Sequence, residues 1–202
     1  MNATHTIVKN CLANLTNDVL NRPYIDSMIQ YVDSSETSEF LKPSGRQHYR
    51  LLGHISSILN DCIISDIGTN KGSSAVAFAT NSRNNVHSFD VQNNRTCSEI
   101  PINCKFHLHN LLENAEYHQI LINSQIVLID VNNANWVHDG ILEQQFHDLL
   151  QRIGFTGVAI YDDINLTDGT RNFWKGITCE KTDITNLGHG DWNAGTGVVY
   201  YN

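Results

Sequence analysis

The chain has 202 residues, 41% of them hydrophobic, which suits one domain with a sizeable core and leaves no length for a second full one. The formal charge is −8, and the 13 Lys and Arg are scattered without a basic run, which excludes the electrostatic footprint of general nucleic-acid binding. No window reaches the roughly 18 apolar residues of a membrane span, and the N-terminal MNATHTIVKNCLANL has neither a long apolar core nor a cleavage pattern, so the sequence reads as a soluble, cytoplasmic protein.

Five cysteines, at 11, 62, 97, 104 and 179, form an odd set without a C-x-x-C, as expected of reduced thiols rather than a disulfide frame. Cys62 and Cys104 each begin an apolar run and read as small buried hydrophobes. The Asn-x-Thr triplets are taken as chance matches. The sequence carries no mark of an oligomeric state.

Residues 4–32 have a helical pattern broken by Pro23, and 33–45 form a polar stretch ending in the turn signal Pro-Ser-Gly. Residues 1–45 therefore read as an N-terminal helical extension, and 46–202 as the main domain. RQHYRLLGHISSILN (46–60) places Leu51, Leu52, Ile55, Ile58 and Leu59 at helical spacing. Short apolar runs then alternate with helical stretches. Strands are predicted at 62–66, 86–90, 104–109, 125–130 and 157–162, with helices at 72–80, 110–121, 138–153 and 169–177. Two more strands follow, near 178–184 and 195–201. Trp174 reads as a core residue.

Alternating strand and helix means α/β with a largely parallel sheet. The link NLGHGDWNA between the last two strands is too short for a helical crossover, so these strands should be antiparallel. That pattern fits a mostly parallel seven-stranded sheet into which the last strand inserts antiparallel.

ISDIGTNKGSSA carries an acid-x-Gly-x-x-x-Gly pattern, Asp66, Gly68 and Gly72, between the first strand and its helix, where open α/β sheets bind ligands. A phosphate-binding P-loop is excluded, because Lys71 precedes the second glycine. A dinucleotide G-x-G-x-x-G is absent, because position 70 is Asn. A nucleoside without phosphate remains, and Asp66 can act as acceptor or pair with a cationic amino-acid end. The Gly72-Ser73-Ser74 helix start offers free backbone N–H groups. Asp90 closes the second strand, where a carboxylate can take both ribose hydroxyls.

Asp130 ends the fourth strand and the pair Asp162–Asp163 ends the fifth, so three acids converge on one crevice. Hard cations such as Mg²⁺ want oxygen ligands of this kind, and a bound Mg²⁺ favours deprotonation of a substrate hydroxyl. Alternatively, Asp162 or Asp163 caps the following turn.

On the Asp66–Gly72 loop, Asp90 and the strand order, residues 45–202 resemble the class I S-adenosylmethionine-dependent methyltransferases. The resemblance implies a Rossmann-like three-layer sandwich in which Gly68, Gly72 and Ser73 border the methionine part of the cofactor and Asp90 holds its ribose. Asn110 stands where many relatives carry an acid that reads the adenine amine. The chain is similar to the subgroup of metal-dependent sugar and macrolide O-methyltransferases and the cephalosporin hydroxylase type. There, Asp130, Asp162 and Asp163 would hold Mg²⁺. Those relatives read Asp-Gly-x-His after the fourth strand, whereas this chain reads DVNNANWVHDG. His138, displaced by that insert, would be the general base, with Asp130 beside it in the catalytic site. By the same resemblance His48 and Tyr49 would touch the cofactor. The hairpin residues His189, Asp191 and Trp192, and Trp136 in the insert, would face a small-molecule or sugar hydroxyl acceptor. The competing expectations are an NAD(P)-binding oxidoreductase and a non-catalytic cofactor-binding partner subunit.

Overall fold

The computed structural model describes residues 2–132 and 138–202. Seven strands form one sheet: β1 (Ile63–Ile67), β2 (Asn85–Asp90), β3 (Cys104–Leu108), β4 (Ile126–Ile129), β5 (Val158–Asp162), β6 (Glu180–Asp183) and β7 (Thr196–Tyr200). Their order is β3-β2-β1-β4-β5-β7-β6. β7 pairs antiparallel with both β5 and β6, and the other pairings are parallel. This is the mostly parallel Rossmann-like arrangement expected from the pattern, with the last strand reversed.

Strand alternation sorts the core into two faces. Ile64, Val86, Ile126, Leu128, Val158, Ile160 and Val198 point to one side. There they meet α1 (Ala3–Asn14), α2 (Asn17–Leu20), α3 (Thr37–Phe40), α4 (Tyr49–Ser57) and α5 (Ser73–Phe78). Ile67, Phe89, Val127, Ile129, Ala159, Tyr161 and Val199 point the other way, onto α6 (His118–Asn123), α7 (Ile141–Arg152) and α8 (Asp168–Gly176). Val8, Leu12, Leu20, Ile25 and Phe40 of the first 45 residues belong to the same buried cluster as the sheet. The extension is thus part of the covering layer, not an appendage beside it. Trp174 is buried, as are Cys62 and Cys104.

Two helical expectations are corrected. In 4–32, Thr16 breaks the pattern before Pro23 does: its side chain accepts from the Val19 N–H and starts α2 anew, and 26–31 is a 3-10 helix. The helix expected at 110–121 begins only at His118, after a 3-10 turn at Ala115–Tyr117. Asn110 takes the Leu112 N–H on its side chain and the Glu113 and Asn114 N–H groups on its carbonyl, closing a turn that competes with the helix. Among the described residues no helix is long and apolar enough to cross a membrane.

Candidate functional site

β1, β4 and β5 are neighbours, with Ile67 opposite Ile129 and Ile129 opposite Tyr161. Position 130 therefore stands beside position 162. Even-numbered residues of β4 and β5 face the α4 layer, so Asp130 and Asp162 project to the same side, as does Asp66 on β1. Asp163 should point away by alternation. It does not, because its backbone turns left-handed (φ 58°), a conformation Asp tolerates better than most residues. Asp130, Asp162 and Asp163 each offer an oxygen within 4.8 Å of the others. The turn-capping alternative is not realised: the Asn165 N–H donates to the Ala194 carbonyl.

Three imidazoles surround these acids. His48, at the N-cap of α4 and 2% exposed, puts Nδ1 3.1 Å from Asp162 Oδ2 and Nε2 3.9 Å from Asp130 Oδ2. His189, in the β6–β7 link, puts Nδ1 3.2 Å from Asp162 Oδ2 and 3.4 Å from Asp163 Oδ1. His138 Nδ1 lies 3.5 Å from Asp163 Oδ2. The Thr196 hydroxyl donates to Asp162 Oδ1 at 3.2 Å. Burial alone would raise the Asp162 carboxyl, but His48 and His189 outweigh it and hold it well below the usual range. Burial opposes the charge on His189, yet its bonds to Asp162 and Asp163 lift it to about 10. Burial and the neighbouring Asp162 push Asp130 well above the ordinary carboxylate range.

A cavity of about 370 Å³ opens beside this cluster, lined in part by Gly68, Asn70, Asp90, Asn110, Asp130 and Leu142. That size falls within the range of about 300–1,000 Å³ typical of small-molecule sites. Gly68 has φ 98°, and its N–H donates to the Phe89 carbonyl at 2.9 Å, drawing the loop across the end of β2. Asp90 accepts from the Asn70 N–H at 2.7 Å and the Gln92 N–H at 2.9 Å, which fixes its carboxylate at the rim. Asn110 spends its side-chain carbonyl on the Leu112 N–H at 3.1 Å.

Asp66, Gly72 and Ser73 stand apart from the residues lining the cavity. Asp66 is fully buried and accepts from the Ser88 hydroxyl, while its Oδ1 and the Ser73 Oγ are buried without a hydrogen-bond partner. Burial raises the Asp66 carboxyl. His48 faces the carboxylates, and Tyr49 packs edge-on against its ring at 4.8 Å. Asp191 pairs with Arg46 at 2.7 Å and Lys42 at 3.4 Å, and Trp192 is 90% exposed. Trp136 lies outside the described residues.

The link of His48 to the acids was not read from the sequence. Its signal was position: a residue capping α4 sits over the face to which Asp130 and Asp162 point. Glu143 lies in the buried stripe Glu143, Phe146, His147, Leu150 on α7, and burial raises its carboxyl to about 7.

No protein-family model and no curated protein matches the chain. Solved structures do. Cofactor-bound Rv0187 from MTB aligns at TM-score 0.55 and 15% identity, over 90% of this chain and 91% of that one. The O-methyltransferase from Bacillus cereus in complex with SAH aligns at 0.54 and 15%, over 89% and 91%. The SAH-bound Podospora anserina methyltransferase PaMTH1 aligns at 0.56 and 11%, over 76% and 77%. At these identities the likeness is one of fold, and this chain has the Rossmann-like fold of those methyltransferases.

Proposed function

We propose that the chain transfers the methyl group of S-adenosylmethionine to a hydroxyl of a small molecule or sugar, assisted by a divalent cation, Mg²⁺ on the sequence pattern. One observation carries the reading: Asp130 both lines the cavity and belongs to the three-acid cluster, so a ligand in the cavity abuts the acids. Fold neighbours that include SAH-bound methyltransferases support it.

The residues fit both groups. Gly68 lines the cavity through backbone alone, and Asp90 is oriented by two backbone N–H groups while a carboxylate keeps further lone pairs for ribose hydroxyls. Asp130, Asp162 and Asp163 offer the oxygen donors that hard cations prefer. S-adenosylmethionine supplies an already activated methyl on a sulfonium, and the cation supplies positive charge that eases ionisation of the acceptor hydroxyl. The protein's own task is then positioning and proton removal. His138, whose Nδ1 lies 3.5 Å from Asp163 Oδ2, is the base that takes the acceptor proton. Val131 and Leu142 add apolar surface to the cavity wall.

Isothermal titration of the full chain with S-adenosylmethionine and with SAH tests this. Saturable binding is expected, weakened about tenfold or more in Asp90→Ala by loss of charge-assisted bonds to the ribose. A folded protein that binds neither compound overturns the reading.

A further inference from the structure

The acids are not alone in this crevice. His48 is almost fully buried, yet neither ring nitrogen makes a hydrogen bond. Its Nδ1 is 3.1 Å from Asp162 Oδ2, close enough for one but off the required alignment. Asp163 Oδ1 is likewise buried without a hydrogen-bond partner, 3.4 Å from His189 Nδ1. His48 Nδ1 and His189 Nδ1 approach the same atom, Asp162 Oδ2, from two different parts of the chain.

Those separations match the edges of a coordination shell. With zinc bonds of about 2.0–2.1 Å, ligand atoms in a tetrahedral site lie roughly 3.3 Å apart. His48 Nδ1 and His189 Nδ1 lie 3.1 and 3.2 Å from Asp162 Oδ2, and His189 Nδ1 lies 3.4 Å from the flanking Asp163 Oδ1. His48, Asp162 and His189 alone form a three-ligand group within 4.8 Å. Thr196 completes an outer layer: its hydroxyl donates to Asp162 Oδ1 and accepts from the backbone N–H of His189 at 2.7 Å.

Two imidazoles change which ion such a site selects. Mg²⁺ favours carboxylate and water oxygens, whereas imidazole nitrogen suits Zn²⁺ and its first-row neighbours. We propose that this crevice binds a borderline transition-metal dication of the Zn²⁺ class in preference to Mg²⁺, with His48, Asp162 and His189 as ligands and Asp130 and Asp163 flanking them. The inference rests on the reading of this crevice as a cation site and changes the class of ion. His138 stays outside the ligand set and free to move a proton.

The test uses the full chain, stripped with a chelator, given one equivalent of Zn²⁺ in a large excess of Mg²⁺, desalted, and assayed for metal by mass spectrometry. The wild type should retain one Zn²⁺ per chain, and Co²⁺ loaded in its place should give visible absorption bands. His189→Ala and His48→Ala should each weaken retention at least about tenfold. His189→Ala keeps the test valid if the buried His48→Ala does not fold, as judged by circular dichroism. Zn²⁺ lost to Mg²⁺, or retained equally by wild type and a folded His189→Ala, overturns the proposal. Cofactor titration on the same samples separates the two readings. Zn²⁺ retention without cofactor binding would sink only the methyltransferase, and cofactor binding without Zn²⁺ retention only this proposal.

Discussion

The carbonyl oxygen of Asp130 occupies the space where a side chain on Gly68 would begin. A Cβ built there stands 1.7 Å from that oxygen. The Asp66–Gly72 loop and the acid-bearing end of β4 are therefore locked together by an absent side chain. Gly68→Ala must both adopt φ 98° and displace the β4 end, and should cost more than about 2 kcal/mol. Gly154 provides the control: it has φ 73° with nothing within 4 Å of its Cβ, so Gly154→Ala should cost only about 1 kcal/mol. Urea unfolding of the two variants checks the difference, and equal losses would show that the Asp130 contact does not matter.

The adjacent acids should answer differently to amide substitution. Asp162 is 5% exposed and is the acid nearest to both His48 and His189, so Asp162→Asn leaves these imidazoles only the more distant Asp130 at 3.9 Å and Asp163 at 3.4 Å. A loss of about 3–5 kcal/mol is expected. Asp163 holds a left-handed backbone that Asn also tolerates, so Asp163→Asn should stay within about 1 kcal/mol of wild type while weakening cation retention. Thermal melts paired with metal analysis separate the two. Two similar destabilisations would mean that Asp163 is as structural as its neighbour.

Much of this architecture was legible because alternation and spacing are local. The reversed last strand followed from a link too short for a crossover, and the three acids from their places at strand ends. What was hidden depends on backbone detail or on distant chain segments. The pair Asp162–Asp163 shares a crevice only because φ at 163 is positive, which no periodicity reveals. His48 reaches Asp162 because α4 is laid across the sheet from a point over a hundred residues earlier in the chain. The expected helix at 110–121 was shortened by an Asn side chain whose competition with the backbone outweighed the apolar spacing.

Arg50 gives the N-terminal 45 residues a testable status. Its buried guanidinium donates to the carbonyls of Lys42 at 3.0 Å, Leu41 at 3.1 Å and Arg22 at 3.3 Å, and the Tyr24 hydroxyl donates to the Arg50 carbonyl. Arg50→Met keeps the apolar stem and strands these acceptors, a loss of roughly 1–3 kcal/mol. Limited proteolysis should then cut within 15–45 faster than in wild type. Unchanged stability and cleavage would mean that the extension is held by its apolar contacts alone.

The edge of the sheet carries its own pH dependence, away from the acid cluster. His87 Nδ1 and His107 Nε2 are 3.0 Å apart, with their rings stacked, and His107 also stacks on Phe89 at 4.6 Å. Burial first, then the charges of His87, His109 and Lys105, hold His107 down to about 4. An unfolded histidine titrates near 6.5, so between about 4 and 6.5 the folded chain binds fewer protons than the unfolded one. Stability from this site is therefore fully present above about pH 6.5 and drains away as the pH falls toward 4. His107→Gln removes the titration but not the neighbours, so its melting temperature should fall less steeply than that of wild type over this interval. Parallel profiles for the two proteins would show that protons taken up elsewhere set the acid limit of the fold.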